Sequence, residues 1–155
     1  MLRFPNVKSA ALIALLLALF PRIATAGELA RSLPVGNGET LRIEVENGRI
    51  DVITQAVKEF RIEATARGLG ASAMEFRLQR EGDVWVLSER PAPWLDWITP
   101  GPRVAVRVWV PYRSVVEIAG GAPVVLSNAG IEVTHPARAR DEILRLEPIP
   151  PGGRP

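Results

Sequence analysis

Apolar and polar residues alternate with a period of two along most of this chain, and that pattern commits it to β-structure. Leu41, Ile43 and Val45 alternate with Arg42, Glu44 and Glu46, and beyond Asn47-Gly48 the alternation resumes through Arg49-Ile50-Asp51-Val52. Asn-Gly between two alternating runs predicts a type I′ hairpin, because both central residues need positive φ and glycine accepts it without a Cβ clash. Phe60, Ile62, Ala64 and Ala66 continue the period. A helix over 55–66 would align Val57, Phe60 and Ala64 but turn Ile62 away from them, so a strand is the better reading. The run 68–72 reads as a loop, and 75–80 with 83–88 as a second hairpin around Glu81-Gly82. Arg103–Val110 is the clearest strand, with Val104, Val106, Val108 and Val110 on one face, and Pro111 ends its pairing. Short strands follow at 115–118, 124–126 and 131–133, with 142–147 as a candidate last one.

No segment makes an amphipathic helix, so the fold class is all-β: a small two-layer, mainly antiparallel sheet assembly, a sandwich or roll. Its expected core is Val104, Val106, Val108, Val110, Ile43, Val45, Ile50, Val52, Phe60 and Ile62. Ile43–Gly48 has the form of Val116–Gly121, and Val52 then corresponds to Val125. Two copies fit either short solenoid-like β-repeats or two unrelated strand-turn-strand units.

Arg3 and Lys8 precede an apolar run, Ala10–Phe20, which Pro21 breaks; Ala24-Thr25-Ala26 then offers an A-x-A cleavage site. These are the three parts of a secretory signal peptide over 1–26, and the run is shorter than the ~20 apolar residues of a membrane-spanning helix. The expected organisation is a signal peptide, a single domain over 27–147 and a disordered Pro/Gly-rich tail over 148–155. No transmembrane span is expected after cleavage, and the protein is expected in the periplasm or at the cell surface. The whole chain has 19 Lys+Arg and 17 Asp+Glu, but Arg3, Lys8 and Arg22 leave with the leader, so the remainder is near neutral. That excludes the cationic field expected of a nucleic-acid binder. There is no cysteine, which excludes thiol catalysis, thiolate metal sites and disulfides.

Catalytic constellations are missing from the sequence. The single histidine, His135, precedes Pro136 in an expected loop, and neither Ser72 nor Ser127 lies in G-x-S-x-G. A transition-metal site would need further His or Cys ligands, and no D-x-D-x-D-G loop is present for calcium. No cofactor is expected, since Gly36-Asn37-Gly38 and Gly68-Leu69-Gly70 lack the following helix that would receive a phosphate. Glu44 with Glu46, or with Asp51, could supply the carboxylate pair of a hydrolase, although alternating charge on a strand ordinarily marks a wet face. Trp94 and Trp97, with Leu95 and Ile98, stand out because the 90–102 loop around them would ordinarily be polar. They form either a contact surface for a protein or glycan partner or a cap folded over the core. Trp85 and Trp109 fall out of phase with the valine stripes and are expected against the second sheet or this loop.

The stretch Leu41–Gly68, followed by Val104–Pro111 and Val115–Leu126, resembles the adhesin domains of the DUF4097 β-strand repeat family. In that family a strand, an Asn-Gly or Ser-Gly turn and a second strand precede a third of the form V-x-V-x-A, here Phe60–Ala64. The resemblance implies an extracytoplasmic, often solenoid-like β protein with an adhesive or envelope role. This chain lacks the family's further glycine-turn repeats beyond residue 130. The expected function is therefore a non-catalytic, adhesin-like binding or structural role. The alternatives are an accessory protein that pairs a strand edge with a partner chain, or a carboxylate-dependent hydrolase.

Overall fold

A computed structural model describes residues 27–35, 39–98, 100–128, 130–139, 142–148 and 150. The signal-peptide reading of 1–26 and most of the tail reading of 148–155 lie outside the described residues. Pro148 itself is buried, and its carbonyl accepts the Arg113 N–H at 2.8 Å.

Among the described residues the strands are β1 (Glu28–Pro34), β2 (Thr40–Glu44), β3 (Gly48–Gln55), β4 (Glu59–Arg67), β5 (Met74–Glu81), β6 (Val84–Pro91), β7 (Arg103–Pro111), β8 (Val115–Ala119), β9 (Val124–Asn128), β10 (Ile131–His135) and β11 (Leu144–Leu146). They form two sheets, ordered β1-β4-β7-β3-β9-β10 and β11-β8-β2-β6-β5. The protein is thus all-β and two-layered, and the 59–67 segment is a strand. All ten expected core residues are at most 2 % exposed and share one cluster between the sheets. Burying side chains of this size contributes ~1.5–3 kcal/mol each. No helix among the described residues is long and apolar enough to cross a membrane.

The Asn47-Gly48 hairpin does not form. β2 and β3 lie in different sheets and do not pair. Gly48 has φ +144, Asn47 has no positive φ, and a Cβ on Gly48 would lie 1.9 Å from the Val104 carbonyl oxygen. The glycine is required because a neighbouring strand passes close by, and the Asn-Gly pair turns a corner between sheets.

That corner recurs. β2 runs parallel to both β6 and β8, placing Ile43 beside Leu87 and Ile118. β3 runs parallel to both β7 and β9, placing Ile50 beside Val106 and Val124. The units β2–β3, β6–β7 and β8–β9 each cross from one sheet to the other, giving three stacked rungs with β2–β3 in the middle. The echo between 43–48 and 116–121 therefore marks real stacking, in a different register: Ile43 aligns with Ile118 rather than Val116, and Val52 with Leu126 rather than Val125. The sheets are mixed. The ladders β1·β4, β4·β7, β5·β6, β9·β10 and β8·β11 are antiparallel around this parallel centre.

The hairpin expected around residues 81–82 forms between β5 and β6, with Gly82 at φ +62. Trp85 shares the inward phase of Leu87 and packs on the core, its ring 5.5 Å from the Arg80 guanidinium. Trp109 contacts neither the second sheet nor the loop by its phase. It lies on the outer face of its sheet, with the Arg61 guanidinium 4.8 Å from its ring centre.

Candidate functional site

The β6–β7 rung is interrupted. Glu44 and Gly48 are four positions apart, whereas their ladder partners Ser88 and Val104 are sixteen apart. Twelve extra residues are inserted at this corner, and they carry Trp94 and Trp97. Pro93 opens a short 3-10 turn over Pro93–Trp97, its fixed φ suiting the first helical position. The turn is held by Leu95 N–H to Ala92 O at 2.8 Å and Ile98 N–H to Leu95 O at 3.0 Å.

The four apolar residues expected here divide by role. Leu95 is buried and pressed on Gly70, where an added Cβ would lie 2.2 Å from Leu95 Cδ2. Ile98 is half-buried beside the same glycine. Gly70 also adopts φ +80, so this position suits glycine on two counts. Leu95 is therefore an anchor and not a contact residue, with half-buried Ile98 beside it. Trp94 and Trp97 remain 54 % and 89 % exposed. One side of the loop rests on Gly70 through Leu95, and the other leaves the indole rings open to solvent.

Two concavities flank this loop. One, about 390 Å³, is lined by Glu44, Glu46, Glu89 and Asp96 among others. It joins Glu44 with Glu46, but Asp51 lies on the outer face of the other sheet, bonded to Arg49 at 2.7 Å. Sequence alone did not single out Glu89, whose neighbours here are distant in the chain. Its Oε1 accepts the Glu46 N–H at 2.9 Å, at the point where the inserted segment leaves the parallel ladder. Burial pushes the Glu89 carboxyl above the ordinary carboxylate range, while hydrogen bonds from the Glu46 and Asn47 backbones pull the other way. Its Oε2 is buried and makes no hydrogen bond. A carboxyl with one oxygen committed to a backbone amide and the other closed from solvent ties a corner together.

The second concavity is larger, about 1050 Å³, with Arg49, Arg67, Leu69, Pro100, Pro102 and Arg103 in its walls. Arg67 and Arg103 are directly opposite one another across β4 and β7. No expectation attached to either from the sequence, because only the cross-strand register brings them together. His135, expected in a loop, is instead the half-buried last residue of β10, opposite Val124. No family model matches the chain, and no curated protein or solved structure matches it either.

Proposed function

We propose that this chain is an exported, non-catalytic binding protein of the cell envelope, adhesin-like in role, whose contact surface is the tryptophan-bearing corner insertion. The observation that carries the reading is the 89 % exposure of Trp97 beside half-exposed Trp94, on a turn whose opposite side is locked by buried Leu95. Exposed indole held on a rigid support loses little conformational entropy on binding, and tryptophan is enriched where contacts carry affinity. The resemblance to the DUF4097 adhesin domains and the leader-like 1–26 segment point the same way. Protease shaving of intact cells tests the placement: cleavage while periplasmic markers survive is expected for a surface adhesin. Trp94→Ala with Trp97→Ala tests the site. A loss of at least about tenfold in attachment, corresponding to ~1.4 kcal/mol, is expected with an unchanged melting temperature. Unchanged attachment would remove the loop from the function.

A second reading rests on β10. Among the described residues this strand pairs only with β9, and Ile131 and Val133 are 69 % and 45 % exposed. An edge with open backbone groups and apolar side chains is a template for an added strand. A cross-linked pull-down in which the partner is lost on Val133→Pro, while Trp94→Ala/Trp97→Ala leaves it unaffected, would favour this accessory role.

A further inference from the structure

We infer that the ligand of this corner is an acidic glycan, whose carboxylate or phosphate groups are received by Arg67 and Arg103 in the groove bordered by Pro100 and Pro102 of the inserted segment. The inference rests on the reading of the inserted loop as the contact surface and adds the ligand's charge and class.

The argument begins with the register. Arg67 at the end of β4 faces Arg103 at the start of β7 in an antiparallel ladder, both on the exposed outer face. Directly opposed residues have Cβ atoms ~4.5–5.5 Å apart, and like charges at that spacing repel. Elsewhere on this face Arg49 bonds Asp51 at 2.7 Å and Arg61 bonds Glu63 at 2.8 Å, while Arg107 lies over the Trp109 ring at 6.0 Å. Among the described residues neither Arg67 nor Arg103 has an acidic partner within ion-pair distance. A bound anion bridging the two guanidiniums relieves the repulsion, and planar guanidinium suits carboxylate and phosphate oxygens alike.

The surroundings narrow the class. The groove is concave and has apolar walls at Leu69, Pro100 and Pro102. The same inserted segment that carries Trp94 and Trp97 also supplies Pro100, Gly101 and Pro102 to one edge of the groove. Leu95 and Ile98 reach Gly70, one residue from Leu69, and fix that edge to the 68–70 loop. Aliphatic walls accept the C–H faces of sugar rings, and the paired arginines select acidic ones. A concave groove favours a polymer strand over a flat bilayer.

The test measures binding of the purified domain to polygalacturonate, neutral dextran and phosphatidylglycerol vesicles. Parent, Arg67→Ser/Arg103→Ser and Trp94→Ala/Trp97→Ala proteins are compared in each, alongside native attachment. Polygalacturonate binding that exceeds dextran binding, weakens with salt and falls at least tenfold in the arginine variant supports the inference. That variant removes a like-charge pair, so its melting temperature is expected to be equal or higher, which separates lost binding from lost folding. If attachment needs the tryptophans while polygalacturonate binds no better than dextran, the acidic-glycan inference falls and the contact loop stands. If neither double variant alters attachment, both fall. Binding to the vesicles and not to polygalacturonate overturns the glycan in favour of a membrane surface.

Discussion

Glu89 carries the most instructive energetics of any single residue. Its carboxyl substitutes for a ladder partner at the corner, yet burial disfavours its charge. An acid whose folded pKa is raised binds its proton more tightly in the folded state. The stability it contributes is complete below the ordinary carboxylate value and is lost as pH rises through the folded value. Glu89→Gln keeps an oxygen for the Glu46 N–H and abolishes the charge. Its melting temperature is therefore expected to gain on the parent's as pH is raised from the carboxylate range toward neutrality. A constant difference across that range would mean that Glu89 does not titrate with folding. The surface pairs are worth less. Arg42 reaches Glu117 at 2.8 Å across β2 and β8, and Glu117→Ala is expected to cost no more than about 1 kcal/mol in a denaturant titration.

Among the elements, the inserted loop behaves as a plug with a displayed outer side. Leu95→Ala removes the plug, and buried Leu→Ala changes cost ~2–5 kcal/mol, with the low end expected at this peripheral site. Hydrogen exchange should localise the effect: the Leu95 and Ile98 amides, which close the 3-10 turn, are expected to exchange at least about tenfold faster, with β7 amides changed far less. Uniform acceleration would show that the loop and sheets open together. This insertion also explains what was legible. Strands β2, β3, β4 and β7 could be read from alternation because each has one buried face. β1 could not, because Arg31 occupies the inward position between Leu29 and Leu33 and breaks the stripe. The rung formed by β6 and β7 was hidden because twelve residues separate its halves beyond the usual corner. The Asn-Gly signal was read correctly as a turn and wrongly as a hairpin: the residues fix a change of direction, while the pairing is decided by strands 44 to 75 positions away. The same non-locality concealed the candidate groove, since Arg67 and Arg103 become neighbours only through the β4–β7 register.

At the scale of the whole molecule, one core joins both sheets, and its centre is the valine stripe of β7. Val106→Asp places an unpaired charge there at a position 1 % exposed and is expected to prevent folding. A soluble variant with a cooperative melting transition would contradict this account of the core. The stacking order also has a kinetic consequence. The middle rung is the earliest in sequence, and its neighbours on either side arrive 44 and 75 residues later along β2, and 56 and 74 later along β3. A chain delivered amino-terminus first presents β2–β3 with both flanks bare, and no neighbouring rung can begin to dock until 44 further residues have followed. The molecule must close around its oldest part, so a holding partner that shields apolar strands before closure would bear directly on its yield.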